Sequence, residues 1–156
     1  MLRIDIRDLL RGPVDTTGEI PAGAPALEGL GLELEGPVVV EGRLQETGDA
    51  EYLWRGRIRA TVLTDCRRCL APVWREVDAD VDVLFSGDAD ATDDPSVYPL
   101  AEDATHVDVT EAVREELALA APALVLCRED CAGLCPRCGA DLNAGPCACA
   151  GSAEPV

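Results

Sequence analysis

The 156-residue sequence has no lysine, one histidine, one phenylalanine, two tryptophans and two tyrosines. Each shortage narrows the range of functions. Binding to nucleic acid rests on basic groups that displace counterions from phosphates, and binding to single strands adds aromatic platforms for the bases. With 13 arginines against 30 carboxylates and a net charge of −17, direct RNA or DNA contact is disfavoured. A basic protein partner suits the charge better, because complementary fields speed and orient encounter; acidity as a solubility device is the plainer alternative. The only histidine, His106, precedes a predicted helix and has no Cys or Ser partner motif, so it is read as ordinary. No glycine-rich phosphate loop is present, and no carboxylate sits in a setting that marks a general acid. The expectation is therefore a protein that is not an enzyme. No stretch approaches the roughly 18 apolar residues of a membrane span, and the opening MLRIDIRDLL lacks the basic start and unbroken apolar run of a secretory signal. The expected location is cytoplasmic.

What the sequence has is cysteine. Six of the eight fall in residues 127–149, CREDCAGLCPRCGADLNAGPCAC, and the other two form CRRC at 66–69. Thiols stay reduced in the cytosol, so a dense pattern points to a metal site, with disulfides as the alternative. Two residues between cysteines let a tight turn aim both sulfurs at one ion. In CPRCG the proline stiffens that turn and Gly139 permits a left-handed exit. Cys147 and Cys149 are near enough to complete this site. Cys127 and Cys131, spaced i to i+4, need partners, and Cys66 and Cys69 would otherwise be a lone pair. Short loops cost least to close. The assignment is thus a bridging site of Cys66, Cys69, Cys127 and Cys131 and a local site of Cys135, Cys138, Cys147 and Cys149, with two zinc ions as cofactors. Spacing alone also permits an exchange between neighbours such as Cys131 and Cys135. Eight thiolates and two zinc ions would add −4 to the charge.

The rest of the chain reads as strands around one helix. Residues 2–6 suggest a short strand leading into a helical turn at 8–11. Residues 12–31, rich in Pro and Gly with no sustained period, are expected to be a long loop. Alternation returns at Leu32, Leu34, Val38, Val40 and Leu44, with Gly36-Pro37 interrupting it. Between 52 and 85, two runs alternate clearly: Tyr52, Trp54, Ile58, Ala60 and Val62 in the first, and Val73, Val77, Ala79, Val81, Val83 and Phe85 in the second. Pairing them as a hairpin with Cys66 opposite Cys69 sets Ile58 against Val77 and Trp54 against Val81. The same register sets Arg59, Arg57 and Arg55 against Glu76, Asp78 and Asp80 on the outer face. The arginine row is then a charge ladder and not an RNA-binding stripe. A slip of one residue would place arginines against apolar groups.

Residues 86–103 carry six acids and no base and are read as a mobile acidic loop with a short ordered piece at Tyr98-Pro99. Asp108 is expected to cap a helix near 109–120, with Glu111 three residues on and an apolar stripe of Val109, Ala112, Val113, Leu117 and Ala120. Pro122 ends it. The closing AGSAEPV reads as a frayed tail. The predicted fold class is α+β. A small antiparallel β-sheet domain with one main helix spans 1–122, a C-terminal zinc-ribbon-like cysteine module spans 123–150, and 151–156 form a flexible tail.

The segments IDIRDLL, CRRCL, VDVTEAVREELALAAP and LCREDCAGLCPRCGADLN with CAC, in that order, resemble the YceD family of proteins for large-subunit ribosomal RNA accumulation. CAGLCPRCGADLN is the specific part of the match. The resemblance implies a non-enzymatic role in the synthesis, processing or accumulation of large-subunit (23S) rRNA, and a gene neighbourhood that often includes a small basic large-subunit ribosomal protein. The expected partner is such a protein or a pre-large-subunit particle. Two rival readings use the same cysteines: a zinc-thiol redox sensor or redox-controlled chaperone, and a transcription-associated zinc-ribbon adaptor.

Overall fold

A computed structural model describes residues 2–88, 94, 96–101 and 103–151. The chain divides into two compact units, Met1–Val62 with Glu76–Ala121, and Leu63–Arg75 with Pro122–Val156. The first unit contains a two-stranded antiparallel sheet of β1 (Arg3–Asp5) and β8 (His106–Asp108), in which Ile4 faces Val107. The second sheet of the chain is built from β2 (Val14–Ile20), β4 (Val38–Gly48), β5 (Glu51–Asp65), β6 (Pro72–Ser86) and β7 (Val97–Pro99), neighbours in that order, with the short β3 (Glu33–Leu34) also pairing with β5. The main helix among the described residues is α1 (Thr110–Ala120). The architecture is the expected α+β one, mostly sheet with one main helix and a C-terminal cysteine cluster.

Alternation explains the sheet's two faces. Val38, Val40 and Leu44 of β4, Trp54, Ile58 and Val62 of β5, and Val77, Val81 and Phe85 of β6 are buried on the inner face. They join Val109, which precedes the helix, and the buried helix residues Ala112, Val113 and Leu117 in one hydrophobic cluster. Full burial of a side chain such as Ile58 or Leu117 contributes about 1.5–3 kcal/mol. The indole of Trp54 lies across two glycines that face each other in β4 and β5, Gly42 and Gly56. A Cβ at Gly56 would stand 2.4 Å from the indole ring, so the tryptophan fits only where both neighbours lack side chains. Its Nε1–H donates to the buried Thr16 Oγ1 at 2.8 Å.

That hydrogen bond also explains a correction. Residues 12–31 are not a long loop, for 14–20 form β2, paired antiparallel to β4 from Val14–Leu44 to Ile20–Val38. The inward positions of β2 are Val14, Thr16, Gly18 and Ile20, and only two of them are apolar enough to register as alternation. Thr16 is buried because it satisfies Trp54, which is a tertiary reason for a polar residue on a core face.

The β5–β6 hairpin departs from the expected pairing by two residues. The N–H of Cys66 donates to the carbonyl of Ala71 at 2.8 Å, so the tip takes the four residues 67–70 and Cys66 faces Ala71, not Cys69. Because side chains alternate with period 2, a shift of two keeps every residue on its face. The charge ladder survives with exchanged partners. Arg57 pairs with Asp78 as expected, whereas Arg55 reaches Asp82 at 3.2 Å and Arg59 turns to Glu41 of β4 at 3.1 Å. Exposed pairs of this kind contribute about 0–1 kcal/mol each, so the ladder selects the pairing more than it stabilises it.

The ordered piece expected at Tyr98-Pro99 is β7, which runs parallel to β6 with Leu84 facing Val97 and Phe85 facing Tyr98. It is the parallel neighbour in a sheet expected to be antiparallel. The rings of Phe85 and Tyr98 are 5.3 Å apart, and the Tyr98 hydroxyl donates to the Glu115 carboxylate of α1. Residues 89–93, 95 and 102 of the predicted acidic loop, and 152–156 of the predicted tail, lie outside the described residues. The helix starts close to its expected cap, but the Asp108 side chain accepts from the N–H of Thr110 at 3.0 Å, while Glu111 lies 3.9 Å from Arg114. No helix among the described residues is long and apolar enough to cross a membrane.

Candidate metal centres

The second unit has little apolar material. Its buried residues with side chains, among those described, are Val125 and three cysteines, Cys66, Cys131 and Cys135. Backbone hydrogen bonds organise it. At the hairpin tip, Cys66 N–H donates to Ala71 O at 2.8 Å and Leu70 N–H donates to Cys66 O at 2.8 Å. The tail repeats this turn at the same spacing, with Cys135 N–H to Ala140 O at 2.8 Å and Gly139 N–H to Cys135 O at 2.9 Å. Both turns leave through a left-handed residue, Leu70 at φ 59° and Gly139 at φ 73°. Only the second uses the residue that takes this conformation without steric cost.

The tail segment lies along the tip. Val125 bridges to Cys66, Arg67 N–H donates to Val125 O at 2.8 Å, and the Arg75 guanidinium donates to Leu126 O at 2.7 Å. The Arg68 guanidinium reaches Cys131 O at 2.9 Å, and Leu134 N–H reaches Arg68 O at 2.9 Å. The chain passes so closely here that a Cβ on Gly133, itself at φ 76°, would sit 2.9 Å from Arg68 O. Trp74 stays 41 % exposed.

All eight predicted ligands are brought together in two groups of four, Cys66, Cys69, Cys127 and Cys131 in one and Cys135, Cys138, Cys147 and Cys149 in the other. Within each group the sulfurs lie within 4.8 Å of one another. His106 is not among them; it stands in β8 beside Thr105 and 4.0 Å from Asp5. A tetrahedral ion with metal–sulfur bonds of about 2.3 Å needs sulfurs about 3.8 Å apart. Cys66 and Cys131 are 3.8 Å apart and Cys69 and Cys127 are 3.6 Å apart. Four soft donors within 4.8 Å of one another could hold a metal ion in each group.

The thiols are poised unequally. Burial pushes Cys66 up, but backbone N–H groups of Cys127, Cys69 and Arg68 outweigh it and bring the thiol down to about 6. Cys135 is brought to about 6 by the backbone N–H groups of Cys138 and Arg137 and by the Cys147 thiol. Cys127 is pushed up to about 12 by Cys131, burial and Cys69, and Cys149 to about 12, chiefly by Cys138. The first cysteine of each CxxC turn, Cys66 or Cys135, is thus the readier anion, whereas Cys127 and Cys149 hold their protons until a cation replaces them.

Comparison with known proteins identifies the family. The profile of the family described as "Large ribosomal RNA subunit accumulation protein YceD" matches residues 54–155, a span that includes all eight cysteines. The chain belongs to the YceD family. The family's name implies a role in the accumulation of large-subunit ribosomal RNA. Uncharacterised proteins of Mycobacterium bovis and Mycobacterium tuberculosis are each 32 % identical over 95 residues, covering 58 % of this chain and 45 % of the relative. One of Mycobacterium leprae is 29 % identical over 133 residues, covering 78 % of this chain and 59 % of the relative. The aligned part is thus about half the length of the curated relatives it matches. No solved structure matches the chain.

Proposed function

We propose that this YceD-family chain is a non-enzymatic factor supporting the synthesis, processing or accumulation of large-subunit rRNA, and that its acidic unit holds a basic large-subunit ribosomal protein or an early large-subunit particle. The observation that carries the partner is the division of charge. Residues 1–62 and 76–121 hold 25 of the 30 carboxylates and 8 of the 13 arginines, whereas 63–75 and 122–156 hold five of each. The whole net charge of −17 therefore belongs to the first unit. A field of one sign favours a partner of the other and speeds its capture. The arginines of its sheet offer little to RNA, since Arg43, Arg55, Arg57 and Arg59 each face a carboxylate.

Zinc is the ion this reading assigns to both tetrads. Four thiolates suit it, and a complete set of four protein ligands leaves no position open for substrate, as in structural sites. Its task is to fix the second unit, with the eight cysteines as its only ligands.

The test is purification of the tagged protein from its native cells at low salt, with quantification of what accompanies it and of its metal. Enrichment of free large-subunit ribosomal proteins or immature large particles, lost at high salt, supports the role, as do two zinc ions per chain. Enrichment of RNA polymerase would instead support the adaptor reading. Zinc loss with a gain of activity at mild peroxide, together with captured oxidised clients, would support the redox reading.

A further inference from the structure

Asn143 lies in the loop between Cys138 and Cys147, ligands of the local site, yet its side chain reaches the other site. Its Nδ2 stands 3.5 Å from the Sγ of Cys131. The amide can face only one way. Its Oδ1 accepts from the N–H of Ala132 at 2.8 Å and from the Arg128 guanidinium at 2.9 Å. Its Nδ2 also donates to Asp141 Oδ1 at 2.7 Å, and the same oxygen accepts the N–H of Asn143 at 2.9 Å. A flipped amide would set NH2 against two donors and the carbonyl against a carboxylate and a sulfur. The N–H is therefore aimed at the sulfur by four other hydrogen bonds.

We propose that Asn143 is a positioning residue that couples the two metal centres. The inference rests on the reading of both tetrads as metal sites. Binding an ion at Cys135, Cys138, Cys147 and Cys149 closes the loop that carries Asn143 and so presents its N–H to Cys131. A hydrogen bond to a thiolate stabilises the ionised ligand, and such supporting contacts typically change metal affinity 10–100-fold. Coupling of this kind is reciprocal, so an ion at Cys66, Cys69, Cys127 and Cys131 holds Asn143 and favours the local site equally. Leu142 N–H, which donates to Gly133 O at 2.9 Å, adds a backbone tie beside it without touching a ligand sulfur.

The test loads the full metal-free chain with substoichiometric Zn2+ and counts the forms with zero, one and two ions by native mass spectrometry. The expected wild-type result is a one-ion form well below the statistical share. Asn143→Ala should restore that share and weaken the Cys66 site about tenfold. Asn143→Asp keeps an acceptor for Ala132 and Arg128 but removes the donor to sulfur, so it should uncouple the sites while the tail still folds on metal. With Co2+ as the ion, its sulfur-to-metal absorption band should shift in Asn143→Asp, which a purely structural role would not produce. In a Cys147→Ser background the Cys66 site should already be weak, and Asn143→Ala should weaken it no further. If wild type takes up no metal, the reading of the tetrads fails. If wild type binds two ions and both Asn143 variants load as it does, the metal sites stand and the coupling is overturned.

Discussion

The two units are held together by different chemistry. Among the described residues, 1–62 and 76–121 enclose a cluster of 21 buried apolar residues, from Ile4 to Leu117. Among those described in 63–75 and 122–156, the buried side chains are Val125 and three cysteines, and order comes from backbone hydrogen bonds around two sets of thiols. An apolar core stabilises a chain without help, whereas a small unit without one depends on metal or cross-links. The difference teaches that a single stability would misdescribe this chain, because each half answers to its own perturbation.

Metal removal should separate the halves most. Structural tetrathiolate ions contribute on the order of 10–16 kcal/mol to folding, so a strong chelator should abolish hydrogen-exchange protection across 122–151 and leave β4, β5 up to Val62 and α1 protected. Loss of protection in both halves would show that the apolar core does not stand alone. Acid should imitate the chelator. Protons compete with the ion for sulfur, and the first ligands, Cys66 and Cys135, titrate near 6. Their folded values lie below the ordinary thiol value of 9.0, so this stabilisation is fully present above about 9, declines as pH falls towards 6 and is gone below it. Release of ions to a chromogenic indicator should therefore grow from alkaline to acid pH and be complete below about 6, with the least release above about 9.

Substitutions in the sheet should do the reverse. Trp54→Ala removes the largest fully buried side chain and leaves Thr16 without its donor; it should cost about 3–5 kcal/mol in denaturant unfolding of the first unit while two ions remain bound. Gly56→Ala puts a methyl group into the indole slot and should cost about 1–3 kcal/mol, with Trp54 fluorescence reporting the displaced ring. The smallest effect belongs to the comparison between the two CxxC turns. Leu70 holds the left-handed position that Gly139 holds in the other turn, and it is 62 % exposed, so little packing is lost on its removal. Leu70→Gly should stabilise the tip by less than about 1 kcal/mol, because relief of the left-handed strain is partly offset by the entropy of glycine. Gly139→Leu should move stability the other way.

The same contrast explains what the sequence made legible. Cysteine spacing is local, and a tight turn between two ligands follows from tetrahedral geometry, so both CxxC turns could be read directly. Strands β4 to β6 were readable because their apolar residues alternate with charges. Strand β2 was not, since its inward Thr16 and Gly18 make sense only beside Trp54 and against β4. The hairpin register was off by two because opposite charges fit equally well at either setting, and the closing hydrogen bond from Cys66 to Ala71 that decides between them has no side-chain signature. Asn143 was visible only as part of a motif; its reach to Cys131 depends on how the loop after Cys138 folds back.

The placement of the two tryptophans gives the molecule a pair of internal lamps. Trp54 is sealed in the first unit and bonded to Thr16, whereas Trp74 stands partly open to water in the second. The enclosed indole should emit at shorter wavelength and resist a dissolved quencher, and the open one should emit to the red and yield to it. A single unlabelled sample can therefore display, in two colours, which half of the chain a chelator, an acid pulse or an arriving partner has reached.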